Sequence, residues 1–328
     1  MLENDPLVTE IGEIAAIRQA TSQFRSVDST LVGPGDDAAV VKLVADSVVI
    51  TTDTMIENHD FSTDFSTPFA LGYKAVATNV ADVAAMGARP VALVVAMTVT
   101  RQTRLSWLIE FARGLQAGID ALAPEAAVVG GDLATADQIF ISVTAHGDLS
   151  GTKPILRSGA KPGDLVAICG TLGKAAAGLD LLRHEDASLA RSYPELVDVQ
   201  LRPQPPIDLL LSNTERITSM LDVSDGLSLD ASRLATASQV SLQLHSSSLD
   251  GFAAVLEQAA QSMEARDGKG RDPMDWVLHG GEDHGFLVTM TAGEVPRGFK
   301  VIGEVAEGNG VYLDGAKLVR RGWDSVSS

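Results

Sequence analysis

Cysteine is almost absent from this sequence: Cys169 is the only one in 328 residues. A single cysteine excludes an internal disulfide, and so low a cysteine content is typical of a protein from a reducing compartment. Cys169 ends the apolar run Leu165-Val166-Ala167-Ile168-Cys169. A cysteine with such neighbours usually behaves as a small buried hydrophobic residue, so we expect Cys169 to belong to the core.

Positive charge is also scarce. Lys and Arg number 25 against 43 Asp and Glu, so the formal net charge is -18. This balance makes nucleic acid and anionic membranes unfavourable partners, because both present negatively charged phosphate groups. A phosphate-bearing ligand is therefore expected to arrive together with a metal ion.

Long hydrophobic runs are missing as well. No stretch reaches about 18 uncharged apolar residues, and residues 1–6 lack the basic segment and apolar core of a signal peptide. We therefore expect a cytoplasmic protein without a membrane partner. With 45% hydrophobic residues, a chain of this length can still form two ordinary domains, each with its own core.

The first half of the chain predicts an α/β (α+β) domain over residues 1–150. Apolar residues Ile11, Ile14, Ala15 and Ile17 indicate a first helix. The spacing predicts helices over residues 68–86, with Asn79 and Asp82 on one face and a stop at Gly87, and over residues 105–122. Apolar runs predict strands at residues 48–50, 91–97, 128–129 and 139–143, the first delivering Thr51 to Asp53 at its end.

Residues 151–163 contain three Gly and two Pro and are typical of a connection between domains. A second domain is expected over residues 151–328. Its patterns predict strands at residues 164–168, 240–244, 284–290 and 300–305, helices at residues 174–182, 206–211, 227–237 and 252–265, and a mobile loop at residues 266–273.

Acidic clusters embedded in small or apolar residues recur along the chain. They are residues 35–37 (Gly-Asp-Asp), 51–53 (Thr-Thr-Asp), 79–82 (Asn-Val-Ala-Asp), 130–132 (Gly-Gly-Asp), 222–226 (Asp-Val-Ser-Asp-Gly) and 280–283 (Gly-Gly-Glu-Asp). Any one of them could be a solvated turn, since Asp and Gly are common turn residues. Poorly solvated carboxylates repel one another unless a cation neutralises them, and hydroxyls beside acids suit Mg²⁺. Together the clusters favour a site for divalent cations.

Two glycine motifs look like nucleotide-binding patterns but are rejected on physical grounds. Residues 33–38 match G-x-G-x-x-A, yet a pyrophosphate there would face Asp36 and Asp37, and the next residues predict a strand rather than a helix. Residues 170–174 (Gly-Thr-Leu-Gly-Lys) lack the spacing and the Ser or Thr of a phosphate-binding loop. We interpret them as a glycine turn into a helix.

Histidine and arginine offer two candidate ligand contacts. The six histidines show no zinc spacing. His59 follows the acidic cluster at residues 51–53 and could contact a substrate or be an ordinary loop residue. Arg157 lies near the expected domain junction, where its guanidinium could bind phosphate or remain a surface side chain.

Taken in order, the motifs resemble those of thiamine-monophosphate kinases, members of a superfamily of ATP-using enzymes that includes aminoimidazole ribonucleotide synthetase. The matching segments run nearly from end to end: residues 35–39, 51–54, 58–61, 71–75 through 84–88, 130–132, 157–164, 222–227, 280–283 and 322–324. The resemblance implies the two-domain fold of that superfamily. It also implies a homodimer, with an N-terminal domain (1–150) that binds ATP and Mg²⁺ and dimerises, and a C-terminal domain (151–328) that completes the active site.

The resemblance also assigns residues to ligands. It implies that several Mg²⁺ ions are held by Asp37, Thr51, Thr52, Asp53, Asp82, Asp132, Asp222 and Asp225. ATP would contact Gly131, Asp132, Arg157 and Ser224, and the thiamine portion of the substrate would contact His59, Glu282 and Trp323. The sequence departs from the family at Asp283-His284-Gly285-Phe286, where an aromatic residue and then an acid commonly follow Glu-Asp.

The activity implied by the resemblance is ATP-dependent phosphorylation of thiamine monophosphate to thiamine diphosphate, the final step of thiamine diphosphate biosynthesis. The acceptor phosphate is already largely ionised at neutral pH, so no general base is required. Aminoimidazole ribonucleotide synthetase is the nearest alternative activity, and a non-catalytic sensor of nucleotide and Mg²⁺ is another. Selenophosphate synthetase and the hydrogenase-maturation dehydratase would need a cysteine near a terminus. A requirement for K⁺ stays open.

Overall fold

The computed structural model describes residues 5–33, 39–44 and 46–323, and these residues divide into two compact units. The first unit holds the described residues up to Ala84 together with Ala88–Lys153. The second holds residues 85–87 and 154–323. The division after Lys153 lies three residues beyond the boundary that the sequence predicts, between residues 150 and 151.

The first unit combines four helices with six strands among its described residues. In chain order they are α1 (Val8–Ile11), α2 (Glu13–Thr21), β1 (Thr30–Val32), β2 (Val40–Val41), β3 (Val48–Ile56), α3 (Pro68–Ala85), β4 (Arg89–Val99), α4 (Leu105–Leu122), β5 (Ala127–Thr135) and β6 (Phe140–Asp148). β1 pairs with β2, and the remaining described strands form a sheet in the order β3-β6-β4-β5. β6 runs antiparallel to both of its neighbours, whereas β4 and β5 are parallel.

The helices of the first unit follow the predicted pattern closely, apart from the first. α4 has the predicted bounds, and α3 ends at Ala85, two residues before Gly87 adopts a positive φ of 76°. α3 and α4 approach through glycine: a Cβ on Gly72 would lie 2.1 Å from the carbonyl oxygen of Phe111. That contact requires glycine because any side chain would separate the two helices.

The predicted apolar face of the first helix is wrong in part. Gly12, with a φ of 79°, separates α1 from α2, so the helical phase is reset and the spacing from Ile11 no longer applies. Ile14 is 76% exposed, while Ala16 and Ala20 are the buried residues of α2.

Thr51 to Asp53 lie in the middle of β3, so the prediction that they stand at a strand end is also wrong. The ladder with β6 is continuous from Val48 to Ile56. Threonine is β-branched and favours the extended backbone, so the strand continues through Thr51 and Thr52 beyond its apolar residues 48–50. The Gly130-Gly131-Asp132 segment likewise lies inside β5 rather than after it.

The second unit is built on a larger, mostly antiparallel sheet. Its described elements are β7 (Leu165–Cys169), α5 (Lys174–Arg183), α6 (Ala187–Ser192), α7 (Pro194–Leu201), α8 (Ile207–Leu211), β8 (Ile217–Val223), α9 (Leu227–Ser238), β9 (Ser241–Leu244), α10 (Ser246–Ala254), α11 (Glu257–Asp267), α12 (Pro273–His279), β10 (Gly285–Met290), β11 (Phe299–Ala306), β12 (Gly310–Leu313) and β13 (Ala316–Lys317). The strand order is β13-β12-β9-β11-β7-β10-β8. β12 and β9 are its parallel pair among the described strands.

Cys169 lies at the end of β7, fully buried in the interior of this sheet. Burial raises the pKa of its thiol to about 12, because the thiolate would lose its hydration there. The prediction that Cys169 is a buried core residue is therefore confirmed.

The structure corrects several element predictions in this unit. The sequence patterns do not predict the strands β8, β12 and β13 or the helices α6, α7 and α12. The helix predicted over residues 252–265 is two helices, with Val255 and Leu256 between α10 and α11. Within the segment expected to be a mobile loop, α11 continues to Asp267 and α12 begins at Pro273, and Arg271 donates to the Asp267 carboxylate at 2.7 Å.

None of the described helices is both long enough and apolar enough to span a membrane.

Candidate functional site

The candidate ligands fall in both units, and each unit is described separately. Asp37 lies outside the described residues, as do the other residues of the predicted Gly35-Asp36-Asp37 cluster. Its role as a Mg²⁺ ligand stays a prediction. The remaining candidates are all described.

In the first unit, β3 and α3 bring two candidate metal ligands together. The hydroxyl of Thr51 donates to Oδ2 of Asp82 at 2.9 Å. Because side chains alternate along a strand, Asp53 points to the same face of the sheet as Thr51. Thr51, Asp53 and Asp82 are each partly exposed, so a cation from solvent can reach them.

Thr52 and Asp132 face the other side of this sheet. The hydroxyl of Thr52 donates to the carbonyl oxygen of Val143 at 3.0 Å and accepts from Thr144 at 3.1 Å. Asp132 is in register with Ala96, while Gly131 occupies the row that contains Asp53. The sheet therefore divides the candidates of this unit between its two faces, and Asp132 does not share a face with Asp53.

Gly131 lies where strands come unusually close and where a cavity begins. A Cβ on Gly131 would lie 2.1 Å from the carbonyl oxygen of Val95. The cavity has a volume of about 440 Å³. It is lined mostly by apolar side chains of α2, the turn after α2, α4, β4 and β5, including Ile17, Phe24, Met97, Leu108, Phe111, Val128 and Leu133, with Gly130, Gly131 and Asp132 also in its wall.

His59 is oriented by its neighbour in sequence. Its Nδ1 lies 2.8 Å from Oδ1 of Asp60, whose Oδ2 accepts from the backbone N–H of Ile56 at 2.7 Å. Asp60 is thus anchored to the end of β3 and holds the imidazole of His59. The ring remains about one-third exposed and accessible to a ligand.

In the second unit, the segment after β8 carries three candidates: Asp222, Ser224 and Asp225. Asp222 is buried, and its Oδ2 lies 3.2 Å from Nδ1 of His284. His284 has a φ of 50°, and it directly follows Glu282-Asp283, where the sequence departs from the pattern that the resemblance implies. The departure noted in the sequence therefore places an imidazole directly against a candidate metal ligand.

Asp225 belongs to a small ionic cluster with two residues of α9. Arg233 donates to the carboxylates of both Asp225 and Asp230, and the backbone N–H of Asp225 donates to Asp230 at 3.0 Å. Burial, reinforced by the negative charge of Asp222, raises the pKa of Asp230 to about 7. Negative charge is thus crowded at the start of α9, where Arg233 is a cationic partner of two of the carboxylates.

Two candidate substrate contacts are held against the same turn. The backbone N–H of Glu282 donates to the carbonyl oxygen of Ser224 at 2.8 Å, and that of Trp323 donates to the carbonyl oxygen of Asp225 at 3.1 Å. Trp323 is 40% exposed. The structure therefore brings together Ser224, Asp225, Glu282 and Trp323, although they are far apart in sequence.

The neighbouring residue, Asp283, has a structural task. Its buried carboxylate accepts from the Thr171 hydroxyl at 2.7 Å and from the backbone N–H groups of Lys174 and Ala175, at 3.2 and 3.1 Å. Burial raises the pKa of Asp283, and these hydrogen bonds act in the opposite direction. Asp283 thus occupies the N-terminus of α5, in agreement with the interpretation of residues 170–174 as a turn into a helix rather than a phosphate-binding loop.

Arg157 is exposed on the segment that leads into β7. Its backbone carbonyl accepts from the hydroxyl of Ser238 at 2.6 Å, which also accepts from the N–H of Ala160. The segment is thereby fixed to the end of α9, while Arg157 itself is exposed.

The donor atoms of these candidates suit Mg²⁺, which prefers carboxylate and hydroxyl oxygens. Within the described ranges, no three His, Cys, Asp or Glu side chains already converge on one point as a preformed metal site. Burial is the main cause of the raised pKa of Asp230, and the neighbouring carboxylates of Asp222 and Asp225 add to it. A bound cation would relieve the repulsion among these carboxylates.

Sequence reasoning missed the residues that support these candidates. Gln200 donates to the carboxylate of Glu282, Arg233 holds Asp225, and Asp60 holds His59. Only Asp60 could have been found from its position next to a candidate. Gln200 lies 82 residues from its partner, and no sequence pattern connects them.

Comparison with known proteins first defines a class. Residues 35–149 match the family described as AIR synthase related protein, N-terminal domain. Solved structures share this fold. The structure of a thiamine-monophosphate kinase from Stenotrophomonas maltophilia has a TM-score of 0.76 and 30% sequence identity to this chain, and the match covers 93% of this chain and 96% of that one. A second solved structure, described as AaThiL complexed with AMPPCP and TMP, has a TM-score of 0.73 and 27% sequence identity, and the match covers 96% of this chain and 97% of that one.

The relatives in sequence then identify the family. The thiamine-monophosphate kinase of Mycobacterium tuberculosis is 38% identical over 323 residues, which are 98% of this chain and 93% of the relative. The chain belongs to the thiamine-monophosphate kinase family and, with it, to the kinases. The resemblance drawn from the motifs and the predicted α/β two-domain fold are both confirmed.

Proposed function

We propose that this protein transfers the γ-phosphoryl group of ATP to the phosphate of thiamine monophosphate, giving thiamine diphosphate and ADP. The observation that carries the proposal is the turn at Ser224 and Asp225. Backbone hydrogen bonds hold Glu282 and Trp323, the candidate thiamine contacts, against residues assigned to ATP and metal. A site that joins two phosphate-bearing substrates needs this proximity.

ATP is assigned to Gly131, Asp132, Arg157 and Ser224. The apolar cavity next to Gly131 suits the flat adenine base, because binding pockets are mostly apolar with a few polar groups at their margin. The exposed guanidinium of Arg157 suits a phosphate group. A structural relative described as complexed with AMPPCP and TMP supports both an ATP-like and a TMP-like ligand for this fold.

Mg²⁺ is assigned to Asp37, Thr51, Thr52, Asp53, Asp82, Asp132, Asp222 and Asp225. When bound, Mg²⁺ neutralises phosphate charge and so reduces the repulsion between two anionic substrates. These residues supply the oxygen donors that Mg²⁺ prefers, and Thr51 and Asp82 are already in contact. A further requirement for K⁺ is left to experiment.

The acceptor is assigned to His59, Glu282 and Trp323. Its phosphate needs no general base, since its second pKa is about 6 and it is ionised at neutral pH. The task of these side chains is therefore to hold the acceptor in line with the γ-phosphoryl group. The exposed indole of Trp323 can stack on a flat ring of thiamine, and Asp60 fixes the orientation of the His59 imidazole.

The proposal includes the setting in which the reaction takes place. The enzyme acts in the cytoplasm as a homodimer, the N-terminal domain (1–150) binds ATP and Mg²⁺ and dimerises, and the C-terminal domain (151–328) completes the active site. The unusually low content of basic residues supports the use of metal rather than lysine clusters for phosphate binding.

The direct test is incubation of the purified protein with ATP, Mg²⁺ and thiamine monophosphate, followed by anion-exchange chromatography of the products. We expect thiamine diphosphate and ADP in equal amounts, and no product when Mg²⁺ is chelated. Folded protein that binds ATP but forms no thiamine diphosphate would contradict the proposal. Formation of ADP with aminoimidazole ribonucleotide synthetase substrates would then identify the alternative activity, and its absence would favour the sensor.

A further inference from the structure

Gln200 is a buried amide in contact with a candidate substrate residue. It lies on α7 and is 3% exposed, and its Nε2 donates to Oε2 of Glu282 at 2.6 Å. A carboxylate oxygen accepts hydrogen bonds, so the contact fixes which end of the amide faces Glu282. The other end, Oε1, is buried without a hydrogen-bond partner among the described residues.

Glu282 is held from its backbone as well as from its side chain. It has a positive φ of 67°, and its N–H donates to Ser224. The preceding residue, Gly281, passes so close to Ser224 that an added Cβ would lie 2.2 Å from the Ser224 carbonyl oxygen. The backbone therefore sets the position of Glu282, and Gln200 sets the direction of its carboxylate.

A purely structural role for Gln200 fits these contacts poorly. An amide oxygen buried without a partner destabilises the folded state, so an apolar residue of similar size would serve packing better. What glutamine provides, and an apolar residue cannot, is a donor to the Glu282 carboxylate. A donor to an ionised group makes a stronger hydrogen bond than one between neutral groups.

We infer that Gln200 is a positioning residue for the acceptor: it holds the carboxylate of Glu282 in the orientation that receives the thiamine portion of the substrate. The inference rests on the proposed function. It separates recognition of the acceptor from recognition of ATP, because Gln200 contacts the side chain of Glu282, whereas Glu282 contacts Ser224 through its backbone N–H.

The test compares three variants by steady-state kinetics and thermal unfolding. Gln200→Met keeps the length of the side chain but removes the donor, and Gln200→Glu replaces the donor with a second carboxylate. Gln258→Met, at an exposed position on α11, is the control for the substitution itself. We expect Gln200→Met to raise KM for thiamine monophosphate about tenfold, Gln200→Glu to raise it further, and both to leave KM for ATP within about twofold of wild type.

A double variant, Gln200→Glu with Glu282→Gln, exchanges the two groups and preserves a hydrogen bond between them. If Gln200 positions the carboxylate, the double variant regains thermal stability relative to Gln200→Glu, while its KM for thiamine monophosphate stays high. An unchanged KM for thiamine monophosphate in Gln200→Met would overturn the inference. Equal increases in both KM values, together with a lowered midpoint of unfolding, would overturn it too, since Gln200 would then support only the fold.

The wild-type assay separates this inference from the proposed function. Wild-type protein that neither binds thiamine monophosphate in calorimetry nor converts it refutes the proposed function and this inference with it. Wild-type protein that converts it, with Gln200→Met indistinguishable from wild type, refutes the inference alone.

Discussion

The backbone N–H of Trp323 donates to the carbonyl oxygen of Asp225 at 3.1 Å, which holds the backbone of Trp323 beside the turn that carries Ser224 and Asp225. Because Trp323 is 40% exposed, removing its side chain should change the free energy of unfolding little. We expect Trp323→Ala to raise KM for thiamine monophosphate about fivefold, since stacking of flat rings contributes about 1 kcal/mol. Trp323→Phe should recover most of the affinity in the same steady-state assay. Equal KM values in Trp323→Ala and wild type would exclude stacking.

Asp53 tests the assignment of metal to the first unit. We expect Asp53→Asn to lower kcat about 100-fold or more, because charge stabilisation by a bound cation contributes several kcal/mol. The loss should be partly reversed at high Mg²⁺ concentration. Asp137→Asn, at an exposed position between β5 and β6, is the matched control and should retain wild-type turnover. Near-normal turnover of folded Asp53→Asn would remove Asp53 from the metal site.

Adjacent glycines in β5 allow a paired test of packing. A Cβ at Gly131 would lie 2.1 Å from the carbonyl oxygen of Val95, whereas one at Gly130 would meet no described atom within 4 Å. Gly131→Ala should therefore lower the free energy of unfolding by about 1–3 kcal/mol. Gly130→Ala should have a neutral or slightly stabilising effect. Urea unfolding of both variants gives the comparison. Identical urea midpoints for the two variants would show that β4 and β5 can move apart at Gly131 without a loss of stability.

Asp283 should matter for stability although it neighbours a candidate substrate residue. Asp283→Ala removes the acceptor for Thr171 and for two backbone N–H groups of α5, so we expect a loss of about 2 kcal/mol in the free energy of unfolding. Thr171→Val removes one of the three hydrogen bonds and should cost about 1 kcal/mol. Chemical denaturation measures both. A larger loss for Thr171→Val than for Asp283→Ala would contradict the assignment of the carboxylate as the helix cap.

Cys169 provides a probe of unfolding. Burial raises the pKa of its thiol to about 12, so near pH 8 only about one thiol in ten thousand is ionised, and the reactive thiolate increases only as the pH rises towards 12. We expect iodoacetamide to leave the native protein unlabelled and to label the denatured protein once per chain. Mass spectrometry measures the labelling, and rapid labelling of the native protein would show that β7 opens readily.

Strongly periodic segments could be predicted from the sequence. The apolar face of residues 105–122 repeats at helical spacing over five turns, and α4 has these bounds. β8 could not be predicted in the same way, because it is almost wholly buried and its residues, Ile217 to Val223, show no alternation. The break between α10 and α11 lacks both Gly and Pro, so a single helix over residues 252–265 was the natural prediction.

From the sequence, the candidate site could be predicted only at the residues that belong to the motifs. The sequence alone cannot show that Asp132 faces away from Asp53, because that depends on the register of three strand pairs. It cannot show the support given by Gln200 and Arg233, because hydrogen bonds between distant segments leave no trace in local spacing. Composition and motifs therefore indicate the chemistry, while the fold decides which groups act together.

The turn at Ser224 and Asp225 has a thermodynamic consequence. Its two carbonyl oxygens receive the N–H groups of Glu282 and Trp323, so a ligand that restrains the turn also restrains these two residues. A second ligand bound by Glu282 and Trp323 then loses less conformational entropy, and its affinity rises. Linkage requires that this gain be reciprocal, so each ligand strengthens the other by the same factor.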